Sequence, residues 1–184
     1  MRLVFLDRDG VIVRFPGVGR YVTAARQMRL IPAALKGIRL LTEAGVRLHI
    51  ISNQGCVSHG LITRRQLREF TALMMRRIRK AGGKIRGIHY CPHRSADRCL
   101  CKKPKTLLMK QATRGLRLKK KEVYFIGDSD VDVQAGRRFG CRTILVLSGR
   151  TKKNGVRHLP AKPDLVKKDL YEAARWILRK KPKS

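Results

Sequence analysis

The 184-residue sequence predicts an α/β fold, a parallel sheet with helices on both faces. Three observations predict it. Short apolar runs of strand length recur along the chain at Leu3 to Leu6, Val46 to Ile51 and Glu122 to Ile126. They alternate with longer segments of helical periodicity, the pattern of a parallel sheet built from strand–helix–strand units. Several of the strands also stop abruptly at a polar residue, as strands do when their carboxyl ends form a ligand crevice.

The first strand ends at Asp7-Arg8-Asp9-Gly10. Residues 11–31 read as a long loop with Pro16, Gly17 and Gly19 as breakers. Pro32 opens a helix at the favoured first position, Leu35, Ile38 and Leu41 supply its apolar stripe, and Gly45 closes it. The second strand runs into Ser52-Asn53-Gln54-Gly55. Thr63 and Gln66 form a capping-box pattern for a helix that carries Leu67, Phe70, Leu73, Met74 and Ile78 on one face and stops at Gly82-Gly83. Ile85 to Tyr90 reads as a third strand, followed by a Cys/His loop over 91–101. Residues 105–114 read as a helix, and the fourth strand ends at Gly127-Asp128. A short helix leads to Gly140, Arg142 to Val146 is a fifth strand, and Thr151 to Pro163 is a basic loop. Asp164 to Val166 reads as a short edge strand and Leu170 to Leu178 as a closing helix. No repeat or low-complexity segment interrupts this order, so one domain over 1–184 is expected, with a basic C-terminal segment over 151–184.

Composition narrows the function classes. Hydrophobic residues make up 43% of the chain and no apolar run has the length of a membrane span, so no membrane association is expected. The first strand begins too early to leave room for a leader peptide, and clustered cysteines suit a reducing compartment, so a cytoplasmic, monomeric protein is expected. Forty-four Lys and Arg against 12 Asp and Glu give a net charge of +32. Such a surface attracts polyanions. Nucleic acid or a ribonucleoprotein is therefore one possible partner, and a solvated basic surface is the alternative. Aromatic residues are only 5% of the chain, so few rings are free to stack on bases, and nucleic-acid contact would fall mainly on phosphates.

The polar residues at the strand ends form a set suited to phosphoryl transfer. Asp7 is placed to attack phosphorus as a nucleophile, and Asp9 to protonate the leaving oxygen and then activate water. Asp7, the backbone carbonyl of Asp9 and Asp128 make an all-oxygen site suited to Mg²⁺. Ser52 and Lys103 are placed to hold the remaining phosphoryl oxygens. Cys91, His93, Cys99 and Cys101, two close pairs separated by five residues, offer the closed tetrahedral set of a structural Zn²⁺ site that would hold Lys102 and Lys103 in place.

Asp7-Arg8-Asp9-Gly10, Ser52-Asn53-Gln54, Lys103-Pro104 and Gly127-Asp128-Ser129-Asp130-Val131-Asp132 resemble the four ordered motifs of the haloacid dehalogenase-like phosphatases. The branch with heptose bisphosphate phosphatase and histidinol phosphatase is the closer resemblance, and the Cys/His loop looks like its zinc loop. The resemblance implies a Rossmann-like fold with a minimal cap and a zinc-stapled loop. It implies that Asp7 is the nucleophile, Asp9 the acid/base, Ser52 and Lys103 the phosphate binders and Asp128 the last magnesium ligand, with Asp132 supporting the metal site from behind. The substrate it implies is a small phosphorylated metabolite of the heptose bisphosphate type, with histidinol phosphate as an alternative. Asn53, Lys102 and His59 fall where substrate contacts are expected. Here the chain departs from the pattern: His59 and Lys102 stand where arginine is usual, Gly55-Cys56 replaces a small-Gly pair, and Thr106-Leu107 replaces Pro-Gly. Cys56, beside the phosphate loop, is within expected reach of substrate. Two readings use the charge instead, a polynucleotide 3′-phosphatase and a basic subunit of a ribonucleoprotein.

Overall fold

The structure is a computed structural model and describes residues 1–179; residues 180–184, the end of the expected basic segment, lie outside the described residues. Six parallel strands form one sheet in the order β3-β2-β1-β4-β5-β6. They are β1 (Leu3–Leu6), β2 (Arg47–Asn53), β3 (Gly87–Cys91), β4 (Val123–Gly127), β5 (Arg142–Val146) and β6 (Leu165–Lys167). The helices are α1 (Pro32–Glu43), α2 (Arg64–Lys80), α3 (Leu107–Ala112), α4 (Asp130–Phe139) and α5 (Leu170–Arg179).

Alternation along β1 explains the two layers. Val4 and Leu6 face one core with Ile38 and Leu41 of α1, Phe70 and Met74 of α2, and Ala173 and Ile177 of α5. Leu3 and Phe5 face the other, with Leu108 and Met109 of α3 and Ala135 of α4. All four β1 side chains are fully buried, as in a strand covered on both faces. From β1 the chain runs outward through β2 to β3, and from β4 outward through β5 to β6. The order therefore reverses between β1 and β4. That switch point opens a crevice at the carboxyl ends of the two strands.

Local chemistry sets the boundaries. Thr63 caps α2 by accepting from the Gln66 backbone N–H (3.1 Å), while the Gln66 side chain accepts from the Thr63 N–H (2.8 Å). Strand β2 runs two residues past Ile51, because Ser52 and Asn53 pair with Tyr90 and Cys91. Strand β3 starts at Gly87 rather than Ile85. The Lys84 N–H is bonded to the Thr42 hydroxyl at the back of α1, and the chain joins the sheet edge only where Arg86 N–H donates to Leu48 C=O. Helix α3 is shorter than the expected 105–114 at both ends. Lys105 N–H donates to Lys102 C=O, so 102–105 form a tight turn that carries Lys103 inward. Loop 11–31 folds back on itself, with Ile31 N–H donating to Ile12 C=O and Arg14 N–H to Arg29 C=O, and it buries Val22 and Met28. Among the described residues no helix is long and apolar enough to cross a membrane.

Candidate active site

A cleft of about 280 Å³ opens over the switch point. Asp7 and Asp9 reach it from the end of β1, Ser52 and Asn53 from β2, Lys102 and Lys103 from the turn before α3, and Asp128 from the end of β4. The side chains proposed from sequence for phosphoryl transfer thus meet in one place. Phe15 to Tyr21 of loop 11–31 and Arg150 complete the lining.

Lys103 lies at the centre, 3% exposed, with Nζ 2.6 Å from Asp132 Oδ1 and 2.9 Å from Asp7 Oδ1. Burial alone would lower the pKa of this amine. The carboxylates of Asp132 and Asp7 outweigh burial and hold it above the ordinary lysine range. Asn53 fixes the turn by accepting from Lys103 N–H (2.9 Å) and donating to Lys103 C=O (3.2 Å), so its amide acts on the lysine segment. Asp132, in the first turn of α4, folds back to accept from the Asp128 and Ser129 N–H groups (3.2 Å each) and from the Ser129 hydroxyl (2.6 Å). Both its oxygens are occupied.

Asp128 is packed against glycine. A Cβ on Gly10, whose φ is +84°, would lie 1.9 Å from Asp128 Oδ2, and one on Gly149 would lie 2.0 Å from it. Only glycine leaves room for this carboxylate, and Gly10 also suits the left-handed backbone. Arg150 N–H donates to Asp128 Oδ2 at 2.6 Å. Burial, with the charges of Asp132 and Asp7, pushes the Asp128 carboxyl up to about 8.

One ligand oxygen each from Asp7, Asp128 and Asp132 can lie within 4.8 Å of the others. Asp7 Oδ1 is buried and accepts no aligned hydrogen bond, although Lys103 Nζ is 2.9 Å away. An under-satisfied buried oxygen beside a carboxylate that resists ionisation fits a divalent cation with oxygen ligands. Because Asp132 is already saturated, Asp7 and Asp128 are the side chains free to ligate.

Asp9 has a partner that sequence reasoning missed. Arg8, 1% exposed, grips its carboxylate with two bonds, Nε to Oδ1 (3.0 Å) and Nη2 to Oδ2 (2.8 Å). Burial would lower the Arg8 pKa, but Asp9 and Tyr90 outweigh it and keep the guanidinium charged. Gln54 Nε2 donates to the same Asp9 Oδ2 (3.0 Å) and lies 3.2 Å from Ser52 Oγ, so it ties the expected acid/base to the expected phosphate-binding hydroxyl. Arg8 and Gln54 sit inside the motifs that drew attention to Asp7, Asp9 and Ser52, which was the available signal.

Two side chains lie elsewhere. His59 does not line the cleft: it is exposed, and its ring centroid is 5.9 Å from that of Tyr21, which does line it. Cys56 is fully buried with its thiol against the Gln54 carbonyl, so it does not reach substrate space.

The Cys/His loop is assembled beside the lysine turn. Cys91 Sγ lies 3.6 Å from Cys99 Sγ and 3.7 Å from His93 Nδ1, Cys99 and Cys101 sulfurs are 3.6 Å apart, and His93 Nδ1 is 3.2 Å from Cys101 Sγ. A tetrahedron with metal–sulfur bonds of about 2.3 Å has edges of roughly this length. Burial pushes the Cys91 thiol up to about 12, and thiolate character there calls for a cation. Lys102 Nζ donates to His93 C=O and Lys105 Nζ to Cys99 C=O, which ties the loop to the turn that presents Lys103.

The fold, the switch-point carboxylates and the buried lysine together define a haloacid dehalogenase-like hydrolase site, and the HAD-hydrolase-like family profile matches residues 100–173. The chain is 34% identical over 158 residues, 86% of its length and 83% of the relative's, to a D-glycero-beta-D-manno-heptose-1,7-bisphosphate 7-phosphatase of Neisseria meningitidis. Identity to the D-glycero-D-manno-heptose-1,7-bisphosphate 7-phosphatase of Chlorobaculum tepidum is 32%, covering 100% of this chain and 97% of that one. A crystal structure of the D,D-heptose 1,7-bisphosphate phosphatase of B. bronchiseptica, complexed with magnesium and phosphate, superposes with a TM-score of 0.88 at 29% identity, covering 97% of this chain and 99% of that one. The chain belongs to the haloacid dehalogenase-like phosphatases, in the heptose bisphosphate phosphatase family.

Proposed function

We propose that the protein is a Mg²⁺-dependent phosphatase that hydrolyses a small phosphorylated metabolite of the D-glycero-D-manno-heptose 1,7-bisphosphate type. The observation that carries this is the meeting of Asp7, Asp9, Ser52, Lys103 and Asp128 in one cleft at the switch point. Asp7 attacks phosphorus, the ester bond breaks, and the leaving oxygen takes a proton from the Asp9 carboxylic acid. In the second half Asp9, now a carboxylate, takes a proton from the water that attacks the aspartyl-phosphate, which returns Asp7 and releases phosphate. The two-bond grip of Arg8 holds the Asp9 side chain in place over the cleft through both halves. Ser52 and Lys103 hold phosphoryl oxygens, Lys103 through an ammonium that its carboxylate neighbours keep charged. Asn53 acts indirectly by holding the lysine turn. Magnesium, when held by Asp7, Asp128 and the Asp9 carbonyl, supplies the charge compensation that lets a carboxylate approach a phosphate dianion. Zinc, when held by Cys91, His93, Cys99 and Cys101, ties the loop over 91–101 together ahead of Lys102 and Lys103.

The same reading has one domain over 1–184, a monomer in the cytoplasm, with nucleic acid at most a secondary, phosphate-mediated contact of the basic surface. His59 reaches the substrate region only by way of Tyr21. The test is phosphate release with Mg²⁺ from a heptose bisphosphate, histidinol phosphate and a 3′-phosphorylated oligonucleotide, with Asp7→Asn as blank. Release from the heptose bisphosphate, lost in the blank, is expected. Preference for either other substrate would replace this reading, and no release from any would sink it.

A further inference from the structure

The edge of the sheet at β3 carries a groove of about 550 Å³, and no residue that lines it lines the catalytic cleft. Arg64, Leu67, Arg68, Met75 and Arg79 lie along one stripe of α2 and form one side. The groove thus follows the helix for about 22 Å, at a rise of about 1.5 Å per residue. Ile88 and Tyr90 of β3 form the other side. The Thr71 and Tyr90 hydroxyls, 3.2 Å apart, tie the two sides together. Leu67, Met75, Ile88 and Tyr90 make the middle of the groove apolar, with Arg64 and Arg68 towards one end and Arg79 towards the other.

The strand beside the groove is open. Gln54 N–H donates to Cys91 C=O, so the Cys91 backbone faces β2. Alternation along the strand then turns the N–H and C=O groups of Ile88 and Tyr90 away from β2, where no further strand lies, and none of them has a hydrogen-bond partner among the described residues. Proteins usually guard such an edge with a lysine, a proline or a very short strand. The opposite edge is guarded in this way, since β6 has three residues and ends at Lys167. Strand β3, Gly87-Ile88-His89-Tyr90-Cys91, has neither a lysine nor a proline.

Charge selects the occupant. Arg64, Arg68 and Arg79 are exposed, and none forms an ion pair among the described residues. Glu69, the one acidic residue of α2, is taken up by Arg65 at 3.0 Å. A second copy of the chain, at +32, would set like charge against like. Nucleic acid matches the arginines but not an apolar floor whose one ring is tied to Thr71. We propose that this edge docks an extended, acidic segment of a partner protein. The segment adds a strand beside β3, bonds to the outward backbone groups of Ile88 and Tyr90, lays apolar side chains over the middle of the groove and sets carboxylates against the arginines at its two ends. About seven extended residues span its length.

The test uses the full chain and a labelled, end-blocked heptapeptide with glutamate at its two ends, valine at its third and fifth positions and threonine elsewhere. An isomer with the glutamates and valines exchanged has the same charge and composition but puts carboxylates over the apolar floor. The first peptide is expected to bind at least about tenfold more tightly than the isomer, and to slow amide exchange at Ile88 and Tyr90. Arg68→Glu with Arg79→Glu is expected to weaken it at least about tenfold, with the melting temperature and phosphate release unchanged. Lys36→Glu with Lys110→Glu, the same charge change at exposed positions on α1 and α3, should leave binding within about twofold. No binding, equal affinity for the two peptides, equal loss in the two charge-reversed variants, or unslowed exchange at Ile88 and Tyr90 overturns the proposal. So does a single-stranded oligonucleotide that displaces the peptide and protects the same amides, which would give the groove to nucleic acid. A dimer of the free protein that Arg68→Glu with Arg79→Glu dissolves would give it to a second copy, and would equally overturn the proposal.

Discussion

Replacing Lys103 by Met keeps the length and packing of the side chain, including its position 5.4 Å from the Phe125 ring centroid, and removes only the charge. The ammonium is 2.6 Å from Asp132 and 2.9 Å from Asp7. With an effective dielectric constant of about 20, each contact carries roughly 6 kcal/mol of Coulomb attraction. Much of that is spent in desolvating the amine. The net loss on removing one partner of a buried pair is about 3–5 kcal/mol, because the carboxylates stay behind uncompensated. Lys103→Met is therefore expected to lower the unfolding free energy by that amount in urea with EDTA, without a change in m-value. Millimolar Mg²⁺ should return part of the loss, since a cation bound only by the folded state stabilises it. Phosphate release should fall by about two to three orders of magnitude, as for loss of one preorganised charge contact. A variant within about 1 kcal/mol of the parent in EDTA that retains activity would refute the role given to this lysine.

Gly149→Ala places a methyl group against Asp128 Oδ2 and should weaken Mg²⁺ activation by at least about tenfold at a stability cost of about 1–3 kcal/mol, read from the Mg²⁺ dependence of phosphate release and from urea unfolding. The Asp128 carboxyl is raised to about 8 in the folded, metal-free chain, above its usual carboxylate range. A raised folded-state pKa favours folding at low pH, so this contribution is complete below about pH 4 and is lost as pH rises through about 8. Urea unfolding in EDTA across that window should show the decline, and saturating Mg²⁺ should flatten it. Elemental analysis is expected to find one zinc per chain. Cys99→Ala should remove it and lower both the melting temperature and the activity, through the loop that holds Lys102 and Lys103, while an unchanged zinc content would contradict the four-ligand site.

Strand periodicity and the abrupt polar ends were enough to place β1, β2, β4 and β5, because a strand buried on both faces has no other way to be written. The four ordered motifs brought Asp7, Ser52, Lys103 and Asp128 to one cleft for the same reason, since each sits where its strand or turn leaves the core. Features that depend on contacts between distant segments were not legible. The start of β3 is set by the Thr42 hydroxyl, forty-two residues away from Lys84, and the length of α3 by a turn that serves Lys103. Arg8 reads in sequence as one more arginine among 44 basic residues, and only the fold shows it buried against Asp9. Cys56 was misplaced by proximity in sequence, since β2 ends by turning that thiol back into the core.

The way the buried cations are shared among the carboxylates has a kinetic consequence. Arg8 is taken up by Asp9, which leaves Lys103 to serve both Asp7 and Asp132 at the floor of the cleft, with Asp128 beside them and Lys102 and Arg150 on the lining. A divalent ion is drawn to the three carboxylates around Lys103 and displaces the proton that the raised Asp128 carboxyl otherwise keeps, whereas a phosphate dianion is repelled at that spot until the ion is bound. Ligand entry is thereby sequenced, cation first and ester second. Initial-rate patterns should then show the ester adding only to the loaded protein, with excess ester unable to outcompete the metal.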